Sequence, residues 1–481
     1  MSESDSETLP ELPDPQPPYH ILSKKQKWNL VIFVSLAASF SPLSSNIYFP
    51  AIDAISRDLG VNASLIALTI TVYMVVQGIA PSLLGTFSET YGCRLTFAIT
   101  LTIYTAANLA LAFTSNYAML MVLRGFQAAG SAATISISAG VIADIAYPQE
   151  RGRFIGTNAG IPMTGQAIGP IMGGALNSQW GFRSIFWLLF VTSIIVLSAL
   201  LIFLPETQCS VAVNGTNVVS GFQKPFIYYI KPPSACSKSA ETTAPVPRSP
   251  ITFKNAFSPL AYIFEKDIAA LLAWGAVAYT AWSMSGNWGC FVPIGLGCII
   301  SSLRTGWILD QSFNRALNRY KVEHGIWADE IVDHSRDFPY VQARLRLMPI
   351  FSIVIVISLA LYGPSFEFND LRKHFGPNLA APLILQFLIA FSATAIFNIN
   401  STVLIDCFPE LPARATALND LCRCLLGAAG VSVIQPLIGV VKAMKAFFIV
   451  SGAVLLFTPL IWVEWKWGEK WRQEREERRV Q

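Results

Sequence analysis

Long apolar runs separated by short polar connections dominate this chain. Each run approaches the ~20 apolar residues that an α-helix needs to cross the hydrocarbon core of a bilayer. The pattern therefore predicts an all-α membrane protein with twelve spans. The runs lie near residues 29–48, 65–84, 95–113, 117–145, 154–176, 185–204, 268–284, 289–309, 347–362, 380–405, 416–441 and 446–463.

The composition favours the same class. Hydrophobic residues make up 53% of the chain and charged residues only 13%, about half of the ~25% typical of soluble domains. The lipid bilayer is therefore the expected partner of a monomer, and no nucleic acid is expected. The eight cysteines lack the spacing of metal ligands, so the sequence predicts no disulfide, no metal and no other cofactor.

The distribution of basic residues indicates the topology. If both termini are cytoplasmic, only six of the 34 Lys and Arg fall in outside loops and three within spans, as the positive-inside rule favours. We expect a multi-pass protein of the plasma membrane. Its expected parts are a disordered cytoplasmic tail at 1–28, a six-helix bundle at 29–204, a cytoplasmic linker at 205–267, a second six-helix bundle at 268–463, and a solvated basic cytoplasmic tail at 464–481.

Two sequence patterns occur once in each half. The end of span four, VIADIAYPQER, is echoed after span ten by VLIDCFPELPAR. A glycine, an acid and an arginine with identical spacing follow spans two and eight, at Gly85, Glu89 and Arg94 and at Gly306, Asp310 and Arg315. Such echoes indicate duplication of a six-helix unit, an arrangement common among transporters.

Five stretches carry a family resemblance. They are SPLSSNIYFPAI, LRGFQAAGSAATISISAGVIADI, GQAIGPIMGG, LPET and FNINSTVLIDCFPELPARATALNDLCRCLLGAAGVSVIQPL. They resemble the major facilitator superfamily, in its fungal twelve-span drug:proton antiporter branch. Within that branch, GFQKPFIYYI, FSPLAYIFEKD and WRQERE are similar to fungal citrate exporters. The resemblance implies a major facilitator fold, two six-helix bundles around a central cavity, and efflux of a small solute.

Arg124 is a charge near the middle of span four, where an unpaired charge costs at least about 2.5–3.5 kcal/mol. Either it faces a polar path or it pins neighbouring helices by bonding their carbonyls. With Gln127 it resembles a family motif, which implies an arginine facing the substrate path and linked to proton coupling. Six more polar residues could line the path or simply bond neighbouring helices: Asn46, Tyr48, Gln77, Gln166, Asn398 and Asn400.

Further motifs concern gating and helix packing. The resemblance implies that Gly85, Glu89, Gly92 and Arg94 form a gating loop, although Glu89 and Cys93 depart from the family pattern. By their matching spacing, Gly306, Asp310 and Arg315 are the expected gating loop of the second half. In span five, small residues and a proline permit close packing and a bend, and their order resembles the antiporter motif of exporting families: Gly165, Gly169, Pro170, Gly173 and Gly174. In span eleven, Asp420 and Arg423 are spaced for an (i, i+3) ion pair.

The connection between spans seven and eight is unusually short. Ile268 to Leu309 is 42 residues, which two spans of about 20 residues almost fill. We therefore expect both spans to be shortened or tilted. A misplaced splice junction and a deletion that weakens the carrier both explain the length, and a restored segment would then increase transport.

The sequence predicts a secondary transporter that exports a secondary metabolite, a drug-like compound or an organic acid, by proton antiport. An exporter specific for citrate or other organic anions is one alternative. An impaired or non-transporting homologue is another, which the altered gating loop favours. An enzyme is not expected, because the four histidines lie in the tail or loops and form no catalytic cluster. The sequence shows no phosphate-binding loop, so ATP-driven pumping is not expected.

Overall fold

A computed structural model describes residues 23–207, 262–286, 291–325, 338–367, 380–408 and 412–480. The described residues form helices and connections without strands. In the first half, span one comprises Lys24–Ala38 and Phe40–Asn46, and the following spans are Ala63–Tyr91, Cys93–Ala112, Tyr117–Ile145, Pro148–Trp180 and Arg183–Phe203. Between spans one and two lie a 3-10 turn, Phe49–Ala51, and a short helix, Ile52–Leu59.

The second half repeats this arrangement. Spans seven to ten are Lys266–Gly286, Phe291–Glu323, Met348–Tyr362 and Ala380–Cys407, and spans eleven and twelve lie in Pro412–Phe457, followed by a tail helix, Pro459–Val480. Lys442 has a φ of 67° and separates the last two spans. Short helices at Tyr340–Leu345 and Pro364–Glu367 flank span nine.

Helix boundaries follow from local sequence. Ser23 begins span one with a reciprocal capping box, in which Gln26 N donates to its hydroxyl and the Gln26 side chain accepts from Ser23 N. The Asn116 side chain caps span four by accepting a hydrogen bond from Met119 N at 2.8 Å. Pro148 occupies the first turn of span five, where its missing N–H costs nothing.

Eleven helices in the described ranges are long and apolar enough to cross a membrane. Span five is the twelfth predicted span, but it is not among the eleven, because its 33 residues include seven glycines and many polar side chains. The part of span five that is predicted to lie towards the cytoplasm is mostly buried, from Arg151 to Asn158. Such a helix is sheltered by its neighbours, so its average polarity does not prevent it from spanning.

Each half has its own apolar core, and the halves meet along two helix pairs. Spans five and eight pack together across the halves, as do spans two and eleven. The start of span one pairs with the start of span five through Lys27 and Glu150, and the tail helix pairs with the start of span seven through Arg475 and Asp267. We call this end of the bundle the terminal face and the other end the opposite face.

The tail helix is not the solvated segment that the sequence suggested. The Arg475 guanidinium is 2.6 Å from the Asp267 carboxylate, and both side chains are about 5% exposed or less. Arg472 donates to the carbonyl of Phe338 and pairs with Glu469. Some of the basic residues therefore form ion pairs and hydrogen bonds that hold the tail helix against the second half.

The expected shortening of spans seven and eight is wrong, since the two helices have 21 and 33 residues. Span eight gains its length at the terminal face, where the helix continues through Asp310 and Arg315 to Glu323. The expected gating loop of the second half is thus a continuous helix. The connection at 287–290, the 1–22 segment and residues 208–261 of the expected linker lie outside the described residues.

Candidate functional site

Arg124 lies fully buried in the first half, inside a cage of tyrosines. Its Cζ is 4.3 Å from the ring centre of Tyr48 and 4.4 Å from that of Tyr73, distances typical of cation–π contacts. Its Nη1 donates to the Ser44 carbonyl at 3.3 Å and to Gln127 Oε1 at 2.6 Å. Nε and Nη2 have no hydrogen-bond partner among the residues that the structure describes.

A chain of buried hydrogen bonds connects the residues around Arg124. Gln127 Nε2 donates to Asn108 Oδ1 at 2.7 Å, and Asn108 Nδ2 donates to the Tyr104 carbonyl at 2.8 Å. The Tyr104 hydroxyl is 2.6 Å from Ser44 Oγ. The chain links spans one, three and four, so the guanidinium has one defined position.

Several predicted path residues join this network and others do not. Tyr48 packs on Arg124, with its hydroxyl 3.1 Å from Thr69 Oγ1, and Gln77 Nε2 donates to Ser41 Oγ at 3.3 Å. Asn46 Nδ2 instead donates to the carbonyl of Pro42 in its own helix. Gln166 is half-buried in span five.

The predicted polar residues of the second half are buried around spans seven and ten. Asn400 Nδ2 donates to the Leu271 carbonyl at 3.1 Å, and its Oδ1 has no partner in the structure. Neither polar atom of the Asn398 amide has one either, although Asn398 is only 1% exposed. The Asp420–Arg423 pair predicted in span eleven is confirmed at 2.9 Å, and Arg423 also packs on the rings of Tyr279 and Phe397.

At the terminal face, the acid of the first gating motif crosses to the other half. Glu89 Oε1 accepts a hydrogen bond from Arg414 N at 3.1 Å, and the Arg414 guanidinium pairs with Oε2. Gly85 lies beside the same segment, and a Cβ there would be 3.4 Å from the Ala413 carbonyl oxygen, an ordinary van der Waals contact. The carboxylate of span two thus docks at the start of span eleven.

The second motif makes the matching contact in the reverse direction. Asp310 accepts hydrogen bonds from the backbone N–H groups of Gly152 and Arg153 at 2.8 and 3.0 Å. A Cβ on Gly306 would lie 2.5 Å from the Gly152 carbonyl oxygen, so the two backbones are in contact. The carboxylate of span eight therefore docks near the start of span five.

A buried ion cluster between these two contacts was missed by sequence reasoning. Asp406 pairs with Arg151 at 2.6 Å and with Arg344 at 2.9 Å, and all three side chains are about 1% exposed or less. Arg344 also donates to the carbonyl of Pro148 at 2.7 Å. The signal was present in the echoed segments, because Arg151 and Asp406 belong to VIADIAYPQER and VLIDCFPELPAR.

The remaining gating-motif residues have local positions. Gly92 has a φ of 107° and lies against Glu206, which accepts hydrogen bonds from Cys93 N and Arg94 N. Arg94 donates to the Leu201 carbonyl at 2.6 Å. These contacts tie span three to span six within the first half. Arg315 is exposed, and the charges near Asp310 come from Arg344 and Arg153 instead.

Span five has two glycine stripes on different faces. Gly165, Gly169 and Gly173 lie against span one, where an added Cβ would approach Leu43 or Ile47 atoms within 3.1 Å. Gly174 is outside the stripe, with only Pro50 within 4 Å. The helix passes through Pro170 without a break in its assignment. The second stripe, Gly152 and Gly156, lies against span eight.

Comparison with known proteins identifies the family. The family description "Major Facilitator Superfamily" matches residues 34–431. The chain belongs to the Major Facilitator Superfamily. Its members are transporters, so this superfamily member is a multi-pass membrane transporter and not an enzyme. Among the described residues, no group of three or more His, Cys, Asp or Glu is arranged to hold a metal ion.

Named relatives extend the comparison within the superfamily. "Citrate exporter 1" of Aspergillus niger is 42% identical over 96% of this chain and 90% of its own length. "MFS antiporter QDR2" of Candida albicans is 28% identical over 92% of this chain and 89% of its own. A crystal structure of the human organic anion transporter MFSD10 has a TM-score of 0.58 at 15% identity, covering 93% of this chain and all of its own. That similarity concerns the fold.

Proposed function

We propose that this protein exports a small organic acid across the plasma membrane in exchange for protons. The observation that supports an organic acid as substrate is the edge of the Arg124 guanidinium formed by Nε and Nη2. Nε and Nη2 form one side of the planar guanidinium and match the two oxygens of a carboxylate. This edge is buried and has no hydrogen-bond partner in the described part of the chain, so a bound carboxylate would compensate for its desolvation.

The comparisons support the same substrate class. The 42% identity extends over nearly the whole of both chains and involves a protein named for citrate export. Secondary metabolites and drug-like compounds remain the broader class, since another relative is named as an antiporter without a stated substrate. A carboxylate on the exported compound is the feature that the buried arginine would select.

The proposed cycle is alternating access. The two halves rock about a midplane site between them, and an inward proton gradient drives the solute outward. The terminal face is the cytoplasmic side, as the basic residues favour. With Glu89 and Asp310 docked across the halves, the described conformation corresponds to a state closed on that side. Buried Arg124 and the two docked carboxylates also oppose the alternative of a decayed carrier.

The test uses protein reconstituted in sealed vesicles with labelled citrate. Transport should follow an imposed pH gradient and fall to the level of empty vesicles when a protonophore collapses that gradient. Other unlabelled carboxylates should compete with labelled citrate for transport, and the trimethyl ester of citrate should not. Unchanged transport without the gradient would contradict proton coupling, and equal competition by the ester would contradict recognition of the carboxylate.

A further inference from the structure

A pocket of about 480 Å³ opens at the terminal face where the two halves meet. The first half contributes the start of span one and the start of span five, and the second half contributes span eight. Its floor includes the docked carboxylate of Asp310. The lining residues that matter here are Lys24, Trp28, Tyr147, Arg153, Asp310 and Asn314.

The pocket has two cations that are incompletely neutralised. Lys24 is exposed and makes no ion pair among the described residues. The Arg153 side chain is 48% exposed, and its Nε lies 3.5 Å from Asp310 Oδ2. The two oxygens of the Asp310 carboxylate already accept one backbone hydrogen bond each, Oδ1 from Gly152 N and Oδ2 from Arg153 N. The other acid of the lining, Glu150, is paired with Lys27 at 2.8 Å. The pocket is therefore suited to an anion.

Aromatic residues place this pocket at the level of the membrane interface. Trp28 packs edge-to-face on Phe154 with ring centres 4.9 Å apart, and Tyr147 lies under the ammonium of Lys27. Trp and Tyr are enriched where lipid headgroups meet the hydrocarbon. Basic pockets between spans on the cytoplasmic side recognise anionic headgroups.

An exposed apolar stripe leads along span eight to the pocket. Ile300, Leu303 and Trp307 are 43%, 51% and 44% exposed, and their spacing continues to Asn314 on one helix face. In a membrane this stripe contacts acyl chains. A molecule with an acyl chain on the stripe and an anionic head in the pocket fits both features, whereas a free anion uses only one.

We infer that this pocket binds the phosphate-bearing headgroup of an anionic lipid of the cytoplasmic leaflet. Lys24 and Arg153 would contact the headgroup from the first half and Asn314 from the second. The lipid would therefore join the halves beside the Asp310 contact and favour the closed terminal face. The leaflet assignment rests on the topology proposed above.

The test measures binding by purified full-length protein, without transport. Dioctanoyl phosphatidylserine is titrated onto the detergent-solubilised protein, and the shift of the thermal unfolding midpoint gives an apparent affinity. A basic residue near a headgroup contributes about 1 kcal/mol, so the double variant Lys24→Gln, Arg153→Gln should bind about 25-fold more weakly. The matched control, Lys25→Gln with Arg319→Gln, removes two exposed charges outside the pocket, one from span one and one from span eight.

Retained affinity in the control and lost affinity in the pocket variant would support the site. Equal weakening of both would show a diffuse charge effect and overturn it, as would the absence of any shift in the wild type. Inorganic phosphate and glycerophosphoserine serve as headgroups without chains. If they stabilise the protein as strongly as the lipid, the pocket binds a free anion and the lipid assignment is wrong. Failed citrate transport would leave these results unaffected.

Discussion

Arg124 uses one guanidinium nitrogen for structure and leaves an edge for chemistry. Nη1 bonds Ser44 and Gln127, whereas Nε and Nη2 have no hydrogen-bond partner in the structure. A purely structural arginine would bond carbonyls with most of its five donors. The two tyrosine rings stabilise the charge without occupying its in-plane donors.

We predict that Arg124→Ala reduces citrate transport by at least tenfold and lowers protein abundance much less. The change removes the carboxylate fork, while helix packing retains the surrounding hydrogen bonds. Arg124→Lys should restore only part of the transport, because a point charge cannot bond two oxygens side by side. Vesicle transport normalised to the amount of protein checks both variants.

Tyr48→Phe is a matched control, because it keeps the ring against Arg124 and removes only the hydroxyl that Thr69 contacts. It should transport nearly as well as the wild type. Parallel loss of abundance and transport in both Arg124 variants would instead indicate that the arginine serves packing.

At this scale the sequence predicts residues better than it predicts their partners. The Asp420–Arg423 pair could be predicted because both residues lie on one face of one helix. Tyr73 and Asn108 were not predicted as neighbours of the Arg124 site, because they come from spans two and three. Hydropathy gives the length of a span and not its rotation about its own axis, so contacts between spans cannot be derived from it.

Span five contacts helices of both halves. Its outer stripe, Gly165, Gly169 and Gly173, packs against span one. Its inner stripe, Gly152 and Gly156, packs against span eight. The first stripe was recognisable from GQAIGPIMGG. The second, Gly152 and Gly156, was missed because its partner Gly306 lies about 150 residues away in sequence. Since the inner stripe exists only where the halves meet, it should matter for the transport cycle more than for folding.

We predict that Gly156→Ala impairs transport while the protein still reaches the membrane. The added Cβ would lie 2.5 Å from the Ser302 carbonyl oxygen, so spans five and eight must separate. Overpacking costs about 1–3 kcal/mol, and a cost that applies only to the closed state shifts the conformational equilibrium by about 5- to 150-fold. Gly452→Ala is the control, because nothing lies within 4 Å of its added Cβ. Similar transport by both variants would contradict a role for the inner stripe.

The tail helix shows the same limit of sequence reasoning. Its charges indicated a solvated segment, yet Arg475 reaches Asp267, 208 positions away, at 2.6 Å. The Phe408 ring at the end of span ten also packs on Arg475. A basic segment is usually exposed, and only a tertiary partner distinguishes the exception.

In the whole molecule, an acid from each half contacts the start of a span in the other half. Glu89 of the first half meets the start of span eleven, and Asp310 of the second half meets the start of span five. The echoed motifs predicted the two-fold organisation and named both acids. They did not show that each acid docks on the other half, or that Asp406 lies between them with Arg151 and Arg344.

Asp406 is a buried carboxylate that pairs with two buried arginines, one from each half. Among the ion pairs of the described residues, Arg151 pairs with Asp406, which also pairs with Arg344. Removing one partner of a buried pair typically costs about 3–5 kcal/mol. Because this cluster contains residues of both halves, its loss destabilises the conformation in which the halves are in contact at the terminal face. We therefore predict that Asp406→Asn populates a conformation open at the terminal face.

Cys424 provides a native reporter for this change. It is fully buried in span eleven, and a Cβ added to Gly78 of span two would lie 3.2 Å from its own Cβ. Separation of the halves should expose the thiol, so maleimide labelling from the terminal face should rise in Asp406→Asn, and the rise should vanish when Cys424→Ser is added. Asp58→Asn is the control, because its pair with Arg183 is about half exposed on the opposite face and worth little. If labelling of Cys424 stays at the wild-type level while the variant protein remains folded, the buried cluster does not hold the halves together, and the gate depends on the Glu89 and Asp310 contacts alone.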